Sequence, residues 1–171
     1  MRIVAARVAL LGFLALLVGC DHVTKQVAKA RLEGAPPRDL VHGVLDLQYA
    51  ENTDVAFNVL RAVPESTRRP ILIAVGAVAV VALVAFLLRG RPRPRATQIA
   101  LMLVTAGAVG NYVDRLGRGF VVDFVHLHHW PIFNVADVYV VAGAIMLAWM
   151  SIIRPSTGIE RPRSALRTAN R

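Results

Sequence analysis

Residues 70–88 read PILIAVGAVAVVALVAFLL, an apolar stretch that contains no charged side chain. A helix crosses the hydrocarbon core of a bilayer with roughly 20 mostly apolar residues, and this stretch has about that length. Further stretches of similar length and character lie at residues 3–20, 96–113 and 135–153. We expect the first to continue as helix to about residue 30. The sequence therefore predicts an all-α membrane protein with four transmembrane helices.

The composition agrees with a membrane location. The chain has 171 residues, is 56% hydrophobic and has a mean hydropathy of +0.52, which is too apolar for an ordinary soluble domain. Because the spans and their links account for almost the whole chain, we expect residues 1–171 to form a single membrane domain. The sequence contains only Cys20 as a cysteine, so no internal disulfide can form.

The net charge of +9 comes from arginines that border the spans. No basic stripe interleaved with aromatic residues is present, so the charge does not indicate nucleic-acid binding. The placement follows the positive-inside rule and puts both termini in the cytoplasm, with residues 21–69 and 114–134 outside. The cytoplasmic arginines lie before span one, between spans two and three, and in the tail at 154–171: Arg2, Arg7, Arg89, Arg91, Arg93, Arg95, Arg154, Arg161, Arg163, Arg167 and Arg171.

One external segment has the pattern of β-strands. Residues 39–60 are rich in strand-forming side chains, and residues 45–49 and 55–59 partly alternate between apolar and polar. Residues 51–54, which read ENTD, separate the two runs. We therefore expect a small extracytoplasmic β-sheet cradle that rests on the bilayer surface.

Two aspartates stand out because they lie in apolar sequence at the edge of the spans. Asp123 and Asp137 have no Lys or Arg within several residues, and an unpaired carboxylate next to lipid is expensive to keep ionised. Each could simply cap a helix or solvate a loop. The pair favours chemistry, because two carboxyl groups that share a proton can activate water for peptide hydrolysis.

Other titratable groups in the external segments are weaker candidates. Asp114 also ends a span, but the adjacent Arg115 would hold it ionised. A permanently ionised carboxylate suits a structural role better than the role of a catalytic acid. A histidine group at 126, 128 and 129 lies beside Trp130 in a segment typical of the membrane interface, and we expect no metal there.

Cys20 ends the tetrapeptide LVGC, which looks like a bacterial lipobox after a basic, apolar N-terminus. A chain cleaved before Cys20 would be a lipoprotein precursor, but a cleaved signal peptide does not explain three further spans. We therefore interpret the lipobox as a chance match.

Five sequence blocks together resemble the bacterial lipoprotein signal peptidases, the signal peptidase II family. In order they are DHVTK at 21–25, NTDVAF at 52–57, GNYVDR at 110–115, VDF at 122–124 and FNVAD at 133–137. The resemblance extends over nearly the whole chain, from Asp21 to about residue 141. The second block departs from the family pattern, since Asp54 stands where glycine is usual and Asn58 where a small residue is usual.

The resemblance implies a catalytic aspartyl pair formed by Asp123 and Asp137. It implies that Asn52, Asn111 and Asn134 line the site, and that Asp21 and Lys25 form a supporting pair near its mouth. These two residues are four apart and can pair on a helix. We expect Asp114 to be structural, and the remaining supporting residues to position substrate or allow close helix packing: Arg115, Gly107 and Gly110.

The resemblance also implies the activity and its setting. The expected enzyme is an aspartic endopeptidase of the bacterial inner membrane that acts near the outer leaflet, without metal or cofactor. Its substrates would be diacylglyceryl-prolipoproteins cut before the lipidated cysteine, and membrane lipids would surround a monomer. The alternative function is a small transporter or channel subunit in which the aspartates form a proton relay.

Overall fold

A computed structural model describes residues 2–53, 64–89 and 93–153. Within this part of the chain, the helices are α1 (Arg2–Leu32), α2 (Glu65–Leu88), α3 (Arg95–Gly117) and α4 (Val135–Ile153). All four are long and apolar enough to cross a membrane. The predicted helices are thus present, with α1, α2 and α3 extending a few residues beyond the predicted ends.

The predicted sheet is present but its composition differs from the prediction. Strands β1 (Arg38–Val41), β2 (Leu45–Asn52) and β3 (Val121–Leu127) form an antiparallel sheet in the order β1-β2-β3. Residues 51 and 52 were expected between two strands, whereas both belong to β2. The run at 55–59, together with Asp54 and Asn58, lies outside the described residues.

Strand β3 was missed by the sequence analysis, although VVDFVHL is rich in β-branched residues. It follows α3 through a turn at Gly119, which has a φ of +85°. Its distant partner is β2, with Asn52 opposite Val121 and Ala50 opposite Asp123. This pairing carries Asp123 to the end of the helical bundle where α4 begins.

Helix α3 is the central element of the bundle, because it packs against α1, α2 and α4. Two glycines allow the tightest contacts with α4. A Cβ on Gly107 would collide with the carbonyl oxygen of Ala136, and one on Gly143 would lie 2.6 Å from the carbonyl oxygen of Ala100. Large apolar side chains on the outer helix faces are exposed, as expected for surfaces in contact with lipid.

Candidate active site

The two candidate aspartates are joined by one asparagine. Asn134 donates from Nδ2 to Oδ1 of Asp123 at 2.6 Å, and its backbone N–H donates to Oδ2 of Asp137 at 3.1 Å. Asn134 and Asp123 are buried, whereas Asp137 is partly exposed. The sequence-predicted pair is therefore brought together at a site open on the Asp137 side.

Local helix capping explains how Asp137 is held. Asn134 immediately precedes α4, and its Oδ1 accepts the backbone N–H of Asp137 at 3.0 Å. Asp137 in return accepts the Asn134 N–H, so the two residues satisfy reciprocally two backbone donors at the helix start. A carboxylate in the first turn also interacts favourably with the helix dipole. The cap thus fixes Asp137 and leaves the Asn134 amide free to donate to Asp123.

A second asparagine completes the hydrogen bonds of each carboxyl. Asn52, the last residue of β2, donates to Oδ2 of Asp123 at 2.9 Å. Asn111 on α3 donates to Oδ1 of Asp137 at 2.8 Å, and its Oδ1 accepts from Asn134 at 3.1 Å. All three asparagines predicted to line the site are therefore in it, and each carboxyl accepts two N–H groups.

The surroundings of Asp123 favour its protonated form. Burial raises the pKa of Asp123 to about 6, and the nearby Asp137 carboxylate also raises it. The hydrogen bonds from Asn52 and Asn134 lower the pKa, because they stabilise the ionised carboxylate, but they only partly offset burial. Asp123 thus keeps its proton to a higher pH than an ordinary aspartate does.

A buried ion cluster lies next to the aspartates. The Nζ of Lys25 is 2.8 Å from Oδ2 of Asp21 and 2.9 Å from Oδ2 of Asp114, and all three side chains are 0–1% exposed. The predicted pairing of Asp21 with Lys25 is therefore present, but within the bundle and not at the mouth of the site. The reason is that Asp21 also accepts the Ala136 N–H at the start of α4, at 2.9 Å.

This cluster is linked directly to the site. Lys25 donates to Oδ1 of Asn111 at 2.9 Å, the same oxygen that accepts from Asn134. A cation on this oxygen requires the Asn111 amide to turn its NH₂ group toward Asp137. Lys25 therefore fixes the orientation of an amide that holds a candidate catalytic group.

The ionic partners of Asp114 differ from the prediction. Its Oδ1 is 2.9 Å from Nη1 of Arg118, and Lys25 lies on the other oxygen. We expected the adjacent Arg115 to supply the charge, but consecutive residues on a helix point in different directions, whereas residues four apart share a face. Arg115 instead donates to the backbone oxygen of Asn111 at 3.4 Å. Arg118 lies next to the candidate site but was not predicted to do so. Its spacing of four residues from Asp114 could have indicated the pairing.

Comparison with known proteins identifies the family. Residues 13–153 match the family model described as signal peptidase (SPase) II. The chain is 32% identical to a lipoprotein signal peptidase of Clostridium acetobutylicum over 78% of this chain and 87% of that protein. It is 38% identical to one of Symbiobacterium thermophilum over 74% of this chain and 83% of that protein.

The chain belongs to the signal peptidase II family.

A solved bacterial membrane enzyme has the same fold. Its TM-score is 0.76 at 24% identity, and the match covers 90% of this chain and 93% of that one. Together with the four apolar helices, family membership makes this chain a multi-pass bacterial membrane protein.

Gly107 and Gly110 lie where α3 closely approaches its neighbours. Gly107 accommodates the carbonyl of Ala136, and a Cβ on Gly110 would lie 2.6 Å from Oδ2 of Asp21. Both contacts bring the start of α4, and so Asp137, against α1 and α3. Any side chain at these positions would displace the elements that carry the site.

The lipobox-like tetrapeptide at residues 17–20 lies within a continuous helix. Cys20 is near the middle of α1, and the next residue, Asp21, is buried in the ion cluster. A peptidase needs its substrate extended at the scissile bond, so this geometry disfavours cleavage before Cys20.

Proposed function

We propose that this chain is an aspartic endopeptidase that removes signal peptides from diacylglyceryl-modified prolipoproteins and cleaves before the lipidated cysteine. The observation that carries the proposal is the pair of carboxyls, Asp123 and Asp137, bridged by Asn134 at the end of the bundle. Membership in the signal peptidase II family supports the same activity.

The two carboxyls have different environments, which favour one as the acid and the other as the base. We assign the shared proton to Asp123, since burial and the neighbouring carboxylate raise its pKa to about 6. Asp137 is assigned as the base, because it is the partly exposed carboxyl of the pair and two N–H donors hold its oxygens in place at the start of α4. Two carboxyls with different environments are the arrangement that acid–base hydrolysis requires.

The reaction then proceeds by proton transfers through the pair. Asp137 takes a proton from water as the water oxygen attacks the scissile carbonyl, and Asp123 gives its proton to the carbonyl oxygen. As the tetrahedral intermediate collapses, the hydroxyl proton returns to Asp123 and Asp137 protonates the departing nitrogen. The C–N bond breaks and the resting protonation state is restored.

The supporting residues orient the reacting groups. Asn52 and Asn134 hold the Asp123 carboxyl on both oxygens, which limits its rotation. Arg115 is partly buried beside Asn111, and we assign it to positioning of the substrate or its lipid head group. The alternative function, a proton relay, is less favoured because Asp123 lies on β3 and not within a membrane helix.

Replacing either carboxyl tests the proposal. We expect Asp123→Asn and Asp137→Asn to reduce cleavage of a lipidated prolipoprotein by the purified protein about 100-fold or more, because each removes a proton-transfer group. Signal-peptide release is measured by gel shift, and mass spectrometry of the product should find the lipidated cysteine at its new N-terminus.

Asp39→Asn is the matched control, since this carboxyl on β1 is 61% exposed and lies outside the site. It should cleave like wild type. Near wild-type turnover in a folded Asp123→Asn or Asp137→Asn protein would contradict the assignment.

A further inference from the structure

A cavity lies beside the site, between the end of α1 and the sheet. It has a volume of about 320 Å³, within the usual range of small-molecule sites. Its walls are mainly apolar and include Val27 and Ala28 of α1, Leu47 of β2 and Phe124 of β3. A site with such walls accepts hydrocarbon.

Two guanidinium groups also line this cavity. Arg31 in the last turn of α1 and Arg38 at the start of β1 are both exposed, and they are the charged side chains among its described lining residues. None of the ion pairs formed between described residues involves either arginine. Guanidinium groups bind phosphate oxygens with good geometry, so the cavity combines an apolar chamber with a phosphate-binding edge.

The position of the cavity matches the bilayer surface. Helix α1 has 31 residues and is therefore about 46 Å long, which exceeds the roughly 30 Å hydrocarbon core. Its last part lies against the sheet, beyond the start of α4. Val23 and Val27 are 61% and 48% exposed there, and the neighbouring hairpin exposes Leu40 at 55% and Val41 at 52%. Exposed apolar side chains beside arginines are typical of a surface at the lipid head groups.

We propose that this cavity binds an anionic phospholipid, with one acyl chain against Ala28 and Phe124 and the phosphate between Arg31 and Arg38. The diacylglyceryl group of the proposed substrate is uncharged, so it would make no use of the two arginines. Phe124 adjoins Asp123 in β3, and an acyl chain packed on Phe124 would support the strand that carries the carboxyl. The binding itself does not depend on the proposed peptidase activity.

Thermal unfolding of the purified full chain in detergent tests this site directly. Dioctanoyl phosphatidylglycerol should raise the Tm more than dioctanoyl phosphatidylcholine at equal concentration. Glycerol 3-phosphate, which lacks acyl chains, should have little effect. In the double variant Arg31→Gln/Arg38→Gln, we expect the apparent Kd for phosphatidylglycerol to rise about 10- to 30-fold, given the usual contribution of each basic side chain near anionic lipid.

Lys29→Gln is the matched control, because Lys29 is a basic residue of the same helix end that faces Glu33 and does not line the cavity. It should bind phosphatidylglycerol like wild type. Ala28→Phe should fill the cavity and weaken binding of both lipids. If Ala28→Phe fails to fold, the double variant Arg31→Gln/Arg38→Gln still tests the proposal, because both arginines are exposed.

Equal stabilisation by the two lipids, or an unchanged Kd in the double arginine variant, would overturn the proposal. So would an unchanged Kd in folded Ala28→Phe. The same titration on Asp123→Asn separates this site from the proposed activity: lipid binding should persist there even though cleavage is lost.

Discussion

At the scale of single residues, the site depends on side-chain amides that donate and accept at once. Asn134 donates to Asp123 while its oxygen caps α4, and Asn111 donates to Asp137 while its oxygen accepts from Lys25. An amide adds no charge, so it can orient a carboxyl without forcing it to ionise. A neighbouring hydrogen bond fixes the orientation of each amide, so these neutral side chains hold the carboxyls in one defined arrangement.

The hydrogen bond from Asn52 gives a prediction about pH. Activity that needs protonated Asp123 should be retained below its pKa of about 6 and lost as the pH rises through that value. Asn52 lowers this pKa, so Asn52→Ala should move the alkaline limb of kcat/KM to higher pH. The measurement is the pH profile of both proteins. A limb that moves to lower pH, or does not move, would contradict the proton assignment.

The buried cluster gives a prediction about Asp114. Asp114→Asn leaves Lys25 paired with Asp21 alone and removes the Asp114 carboxylate from Arg118. Breaking a buried ion pair costs about 3–5 kcal/mol when the remaining charge is uncompensated, so the loss here should be smaller. We expect a lower yield of folded protein, with turnover per folded molecule reduced less than in Asp123→Asn. Active-site titration against total folded protein measures both.

Total loss of turnover in well-folded Asp114→Asn, with Asp123→Asn still active, would move the catalytic role to Asp114. The exposed-site variant Asp39→Asn again serves as the control for the effect of an amide replacement alone.

At the scale of elements, the contact between α3 and α4 sets the position of Asp137. Gly107 faces the carbonyl of Ala136, one residue before Asp137, and Gly143 makes a second close contact with α3. These glycines let the two backbones approach, as small residues do between membrane helices. The first turn of α4, which carries Asp137, is therefore positioned by glycines on both helices.

Gly107→Ala tests this contact. The added Cβ meets a backbone oxygen and Val140, neither of which can move without shifting α4, so we expect a loss of about 1–3 kcal/mol in stability and reduced cleavage. Gly12→Ala on α1 is the matched control, because nothing lies within 4 Å of its added Cβ. Thermal unfolding in detergent and the cleavage assay should separate the two variants. Equal behaviour would show that the α3–α4 contact does not position the site.

At the scale of the whole molecule, the proposed orientation places the sheet and the aspartyl pair outside the cytoplasm. Arginines cluster at both termini and in the link between α2 and α3, and such clusters favour the cytoplasmic side of the membrane. We expect a reporter that is active only outside the cytoplasm to be silent when fused after Arg171. The same reporter inserted at residues 33–37, just before β1, should be active. The reverse pattern would place the site on the wrong side for the proposed substrate.

The sequence by itself determined the four helices and the candidate site residues. Span length and hydropathy are local properties, and each helix is apolar over its own length, so no distant contact is needed to predict it. The aspartates and asparagines could likewise be selected, because an uncompensated carboxyl in apolar sequence is unusual wherever it occurs. Part of the sheet was also predicted, through the strand pattern at 45–49.

Only the tertiary structure decided how these residues meet. Strand β3 is short, and it forms where β2 supplies its hydrogen bonds from about 70 residues away in the chain, so no local pattern placed Asp123 opposite Ala50. Lys25 and Asn111 are separated by 86 residues, yet their contact fixes the amide that holds Asp137. Sequence adjacency suggested Arg115 as the partner of Asp114, but Asp114 pairs with Arg118, because residues four apart lie on the same face of a helix. Which ionic and amide groups become partners depends on the directions in which their side chains point. Those directions are set only when the helices and strands pack against one another.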